Sequence, residues 1–469
     1  MESELGERTG FALFCSFLIH NWGKPFINQL LAIGCWLLPL NDSAFDGTAN
    51  VNACLGRRMR IRSWVLAVSV LLSIIGFNSC SNGNGSTNSG TGFLWVATKG
   101  DQLVSSFTVD LSDGAVSSVR SSVDSGLNPS QLALTPDGAT LVVANVDDNC
   151  GTAQAPSYCD RIRAFPINQA DGTIGTAGSP IQITANAFST PQGMKVGLAI
   201  DPSGKFLFVT HEGNSGPIGS SGTVEGTISV FTISGTTLAP VGTPVLTTQL
   251  GDPTGTGPVA AVATTTPNVG GFLYVANQFS STVSEYSYDT TGTLTFVTNY
   301  SVAANPSALA FSREVANTNR DNFLFVSNAG SNQVSVFSAC VVATLNCGGA
   351  TGVLSPISGS PFPAPTGPGP ILVDPTFDWV YVIEQSSFQI SQYAFAPATG
   401  ALSALSPAAI STGAGPVGGG ITRDGNWMFV ANSGASNLSA FEVGATGKLG
   451  LANTSTVLLA NQPSAILVR

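Results

Sequence analysis

The chain has 469 residues with a net charge of −10, 53 glycines and only 9% charged side chains, against roughly a quarter in an ordinary soluble domain. The acidity excludes a nucleic-acid backbone as partner, because that surface calls for a basic stripe. Ser, Thr, Asn and Gly carry the polar content, a mixture that suits strands and tight turns, where Gly and Asn accept positive φ.

Residues 1–58 do not resemble the rest of the chain. Their apolar run, Ile27 to Leu40, spans 14 residues, short of the about 20 that a helix needs to cross a bilayer. Next come Arg57-Arg-Met-Arg-Ile-Arg62 and the apolar stretch Trp64 to Phe77. A basic n-region, an apolar h-region and a small residue before a cut site describe an export signal. Such a signal belongs at the start of a chain, so we expect translation to begin at Met59 and residues 1–58 to be an upstream extension outside the fold. The h-region ends Phe77-Asn-Ser-Cys80, which resembles the lipobox of bacterial lipoproteins and implies acylation of Cys80. Ser79 is the expected small residue, whereas Phe77 and Asn78 depart from the usual pattern. Simple cleavage near Ser79 and secretion is the alternative. Residues 59–80 are thus read as a signal peptide, and 81–92, rich in Gly, Ser and Asn, as a flexible linker.

Cysteine usage fits export. Four of the eight Cys lie at or before residue 80, and the rest form two local pairs, Cys150/Cys159 and Cys340/Cys347. Even pairing in an exported chain favours disulfides, each stapling a loop between strands. Neither pair has metal-ligand spacing.

From residue 93 one phrase recurs seven times, beginning at Phe93, Thr140, Phe206, Phe272, Phe323, Trp379 and Trp427. Phe272-Leu-Tyr-Val-Ala276 is representative: aromatic, β-branched and aliphatic residues of a strand buried on both faces. A second strand follows each phrase and ends in an aromatic, as in Val283-Ser-Glu-Tyr286 and Ile390-Ser-Gln-Tyr393. A third opens on a turn glycine two residues before an aliphatic, as in Gly172/Ile174 and Gly447/Leu449, stretched once to Gly235/Leu238. A fourth starts mostly at Pro and is built of small residues. Proline is harmless at a strand's first position. Four antiparallel strands per repeat predict an all-β, seven-bladed β-propeller over 93–469. The small-residue strand lies innermost, where the blades converge. The final strand, Pro463 to Val468, would pair with the first phrase and close the ring, removing the open edges.

Loops after each phrase and before each innermost strand should share one face, around the central funnel. The residue just past each phrase is Thr98, Asn145, His211, Asn277, Asn328, Glu384 or Asn432. The four Asn are read as turn formers. His211, followed by Glu212, is the one His of the repeat region. Any His-dependent proton transfer there must use it, although a lone His at a turn is also a common structural residue. Asp147-Asp148 is read as a turn rather than a Ca²⁺ site. Gly413 to Gly420 has no Lys and no following helix, so it is not a phosphate loop.

The phrases Phe272-Leu-Tyr-Val-Ala-Asn277 and Pro136-Asp-Gly138, repeated over seven blades, resemble the lactonase-type propellers, the 6-phosphogluconolactonase family and its YVTN-repeat relatives, across 93–469. The resemblance implies a Gly-Pro-Arg-His motif opening an innermost strand and an Asn-Glu pair closing the next, with Arg, His and Glu facing the funnel. Here the Arg-His positions read Ser130-Gln131, Val196-Gly197, Val259-Ala260, Ser307-Ala308, Gly369-Pro370, Val417-Gly418 and Ser464-Ala465. Glu384 matches the Glu position, and His211-Glu212 resembles the Asn-Glu step. This leaves two expectations. One is an exported hydrolase of a small neutral lactone, with His211 as base and Glu384 or Glu212 orienting water. The other is a non-catalytic propeller of the cell envelope that binds a ligand, protein or polymer. Both expect no cofactor and no metal, a monomer, and membrane attachment only through a lipid on Cys80.

Overall fold

In every repeat the aromatic-aliphatic phrase becomes the second strand of a four-stranded antiparallel sheet, buried from both sides. The computed structural model describes residues 90–149, 158–183, 195–213, 226–243, 245–247, 256–266, 270–312, 322–341, 352–375 and 379–469. Met59, the signal peptide, Cys80 and the linker up to residue 89 lie outside the described residues, as do Cys150 and Cys347.

Seven sheets are present, numbered here as blades in chain order. Their inner strands are Pro129–Leu134, Val196–Ile200, Pro258–Thr266, Pro306–Phe311, Pro368–Val373, Pro416–Ile421 and Pro463–Val468. Each inner strand touches its two neighbours, so the ring is continuous. The second strands of blades 1 to 6 are Thr140–Asn149, Phe206–His211, Gly270–Asn277, Asn322–Asn328, Trp379–Glu384 and Trp427–Asn432. That of blade 7 is Thr91–Thr98, from the other end of the propeller. Leu94 pairs with Val468 and Ala97 with Ala465, and Phe93 and Arg469 exchange backbone hydrogen bonds of 2.9 and 2.8 Å. Closure by the last strand is therefore as predicted. The outer strands are less regular than the repeat suggests: two residues in blade 1, and two short pieces each in blades 2 and 4.

Successive side chains of a second strand enter opposite wedges. In blade 7, Leu94 and Val96 pack with Phe429 of blade 6, while Trp95 and Ala97 pack with Leu141 and Val143 of blade 1. The opening ring of the phrase covers the turn glycine of the following blade. Phe93 lies against Gly172, Phe206 against Gly292, Phe272 against Gly352, Phe323 against Gly400, Trp379 against Gly447 and Trp427 against Gly114. Several clasps are hydrogen-bonded too: Trp95 Nε1 donates to the Gly172 carbonyl at 3.0 Å and Tyr381 Oη to the Gly447 carbonyl at 2.6 Å. Blade 1 opens with Thr140 instead of a ring, and its hydroxyl donates to the Gly235 carbonyl at 3.2 Å.

Candidate functional site

In each blade the residue just past the second-strand phrase lies opposite the start of the inner strand. Asn145 pairs with Pro129, His211 with Val196, Asn277 with Pro258, Asn328 with Pro306, Glu384 with Pro368, Asn432 with Pro416 and Thr98 with Pro463. All seven therefore share one face, the mouth of the central channel. They do not open into it. Asn145, Asn277, Asn328, Glu384 and Asn432 are fully buried, and His211 is 1% exposed. Strand alternation turns each side chain into the wedge with the preceding blade.

The asparagines, read as turn formers, do bond nearby backbone, as where Asn328 Nδ2 donates to the Gln333 carbonyl at 3.3 Å across the turn. Three of the four also end their strands and tie them to the next one, while Asn145, within its strand, donates from Nδ2 to the Leu127 carbonyl at 2.9 Å. Asn277 Nδ2 donates to Ser284 Oγ at 2.6 Å, Asn328 Nδ2 to Ser335 Oγ at 3.0 Å and Asn432 Nδ2 to Ser439 Oγ at 2.9 Å. The serine stands two residues before the aromatic of the third strand, which explains why the repeat keeps writing it.

Glu384 occupies the asparagine position of blade 5. Ser391 Oγ donates to its Oε1 at 2.9 Å, the counterpart of the Asn–Ser link, and Oε2 has no hydrogen-bond partner. Burial disfavours the carboxylate and Ser391 only partly offsets it, so the pKa is pushed up to about 7. The same wedge holds Tyr393, whose hydroxyl donates to the Pro363 carbonyl at 2.8 Å.

His211 enters the wedge between blades 1 and 2, where its Nε2 lies 2.5 Å from Asp160 Oδ2. Neither ring nitrogen has an aligned hydrogen bond, so the contact is one of close approach between the imidazole and the carboxyl. Glu212 caps the start of blade 2: its Oε2 accepts from Lys195 N at 3.0 Å, and its own N–H donates to the Lys195 carbonyl. Glu384 stands three blades away. The structure thus brings His211 and Glu212 to one blade and does not bring them together with Glu384.

The exposed side chains of the mouth are different ones. Among the described residues Gln131 is the one exposed position of the inner strands. It pairs with Ala144, and the residues in its register elsewhere are Gly197, Ala260, Ala308, Gly418 and Ala465. Gln385 is exposed on the turn after Glu384, and Gln278, on the matching turn of blade 3, accepts from Lys195 Nζ at 2.5 Å. A second buried carboxyl, Glu285, was not singled out from sequence. It accepts from Tyr300 Oη at 2.6 Å, and burial raises its pKa. Its signal was an acidic residue between the serine and the aromatic of the third strand, where the other blades from 2 to 6 carry an uncharged one. No group of three or more His, Cys, Asp or Glu able to hold a metal ion occurs among the described residues.

The sequence profile described as "Lactonase, 7-bladed beta-propeller" matches residues 160–340, 225–417 and 341–465. Among solved structures, a periplasmic gluconolactonase from Pseudomonas aeruginosa is similar with a TM-score of 0.62 at 20% identity, covering 81% of this chain and 99% of that one. A putative 6-phosphogluconolactonase from Bacteroides fragilis is similar with a TM-score of 0.60 at 17% identity, covering 82% and 100%. At these identities the likeness shows the fold. No curated protein matches the chain.

Proposed function

The chain belongs to the lactonase family of seven-bladed β-propellers, and from that premise we propose that it is an exported member that binds a neutral ligand or envelope polymer at the channel mouth without hydrolysing it. One observation carries this reading. The residues with acid–base chemistry, His211 and Glu384, are buried in wedges three blades apart, where each takes the place of a strand-linking asparagine. A hydrolytic pair needs both groups within reach of one carbonyl and one water. The exposed mouth instead offers amides, which bind and orient hydroxyls but do not activate water.

Export rests on the segment 59–80, with acylation at Cys80 and bridges Cys150–Cys159 and Cys340–Cys347 as its corollaries. The periplasmic location of the Pseudomonas aeruginosa gluconolactonase supports it. Cell fractionation with Cys80→Ala tests anchoring: the variant should leave the membrane fraction.

Lactone hydrolysis is the second reading, favoured by the family match and by the gluconolactonase among the similar structures. A panel of neutral sugar lactones assayed against wild type, His211→Ala and Glu384→Gln separates the two. Binding predicts no turnover above buffer for any of the three proteins. Turnover by wild type that is lost in Glu384→Gln establishes hydrolysis instead.

A further inference from the structure

Five blades join their second and third strands by four-residue turns on the mouth face. These are Lys99–Gln102, Gln278–Ser281, Ala329–Asn332, Gln385–Phe388 and Ser433–Ser436. The last residue of every one lies in the left-handed region, with φ of 61° at Gln102, 54° at Ser281, 54° at Asn332, 55° at Phe388 and 48° at Ser436. Four of these are Gln, Ser or Asn. The fifth is phenylalanine, in a conformation that is a genuine outlier for a bulky side chain. The Phe388 ring is not part of the core, for it is 42% exposed. A costly backbone conformation carrying an apolar ring into water points to function when nothing in the packing requires it.

A second ring stands on the same face. Phe279, 39% exposed, takes the turn position that is Gly100, Gly330, Ser386 or Gly434 in the other blades. It lies over Gly257, where a Cβ would come 2.5 Å from the ring, so the glycine leaves room for a ring held flat against the backbone. The side chains beside Phe388, namely Gln385, Ser386 and Gln389, carry no charge, whereas Phe279 is flanked by Ser280 and Ser281 on one side and on the other by Gln278, which holds Lys195 Nζ at 2.5 Å.

We propose that Phe388 and Phe279 are stacking platforms for a neutral polysaccharide laid across the channel mouth. A sugar ring has an apolar C–H face and a rim of hydroxyls. An exposed aromatic ring takes the face, and the uncharged amides and hydroxyls around Phe388 take the rim, so that platform matches a neutral chain better than a charged one. An apolar peptide would want a continuous groove, whereas here single rings stand apart among polar groups. The proposal rests on the mouth being the binding face and adds what binds there.

Affinity electrophoresis of the full propeller in native gels containing a soluble β-glucan or dextran tests it, with polygalacturonate as the anionic comparison. The variants are Phe388→Asn, which installs the residue blade 4 carries at this φ, and Phe279→Ser. Wild type should be retarded by at least one neutral polymer and not by polygalacturonate. Phe388→Asn should bind at least about tenfold more weakly while melting at the same or a higher temperature, because Asn relieves the backbone strain. Loss of binding with no loss of stability is what a purely structural ring would not give. No retardation of wild type by either neutral polymer, or undiminished retardation of Phe388→Asn, overturns the proposal. In the second case polysaccharide binding at the mouth survives and only the platform falls. Retardation by polygalacturonate alone rejects the neutral-ligand reading as well.

Discussion

Glu384 differs from its counterparts in one respect that can be measured: it titrates. Its carboxyl holds a proton up to about 7 in the folded chain against an ordinary value of 4.5. Between those two values the unfolded chain has released the proton and the folded one has not. Folding stability attributable to this group is therefore highest below about pH 4.5, falls as pH rises, and levels off above about 7. The full span corresponds to at most about 3 kcal/mol. Glu384→Gln keeps the Ser391 contact and removes the titration. Urea unfolding from pH 4 to 8 should show the variant gaining on wild type as pH rises, by about 2–3 kcal/mol at pH 8; parallel curves would mean that the buried oxygen is solvated. What the sequence showed of this site was its location at the mouth-side end of the phrase. Depth was hidden, because strand alternation says which side a residue faces but not whether a neighbouring blade covers it. His211 illustrates the same gap. Its partner Asp160 comes from another blade, and neither residue alone announces the pair.

The aromatic-glycine clasp sets what a blade interface tolerates. Gly292 has φ of 88°, and a Cβ there would lie 2.7 Å from Phe206 Cε1. Gly235, its counterpart in blade 2, has φ of 55° with nothing within 4 Å of a Cβ. Alanine should thus cost only the backbone term at Gly235, about 1 kcal/mol. At Gly292 it adds the displacement of a packed ring, for a total of about 2–4 kcal/mol. Thermal melting of the two variants side by side measures the difference, and equal losses would show that the ring moves aside freely. Both halves of the clasp were visible in the sequence as periodic features, the aromatic opening each phrase and the glycine before each outer strand. Their meeting across a wedge was not, since the repeat reveals which positions recur but not which blades' positions touch. The anomaly was legible without its meaning. Thr140 replaces the ring and Gly235 the regular spacing, and the two prove to be partners. Outer strands were read poorly for a related reason. They pack on one side only, so little selection for pattern acts on them, and short pieces such as Ile181–Gln182 carry no period.

At the scale of the whole ring, closure depends on one hexapeptide. Pro463–Val468 is the inner strand of blade 7 and contacts the inner strands of blades 6 and 1. Ile466 and Val468 pack into the cluster around Phe429 on one side, Ala465 and Leu467 into the one around Trp95 and Leu141 on the other. A chain ending at Gln462 would keep every other sheet intact yet expose the buried edge of Thr91–Thr98 along the channel. An unpaired apolar edge recruits other strands, and no other blade can move over to cover it because each inner strand already has both neighbours. The truncated chain should therefore lose the sharp melting transition and migrate as oligomers on size exclusion. A synthetic peptide of residues 463–469 added during refolding should restore monomer, by the strand-addition route that open sheet edges favour. A truncated protein that melts like the full chain would mean that the ring is held by its wedges alone. The restoring peptide separates that outcome from simple misfolding, because it can act only where the empty slot has the register of Leu94 to Thr98.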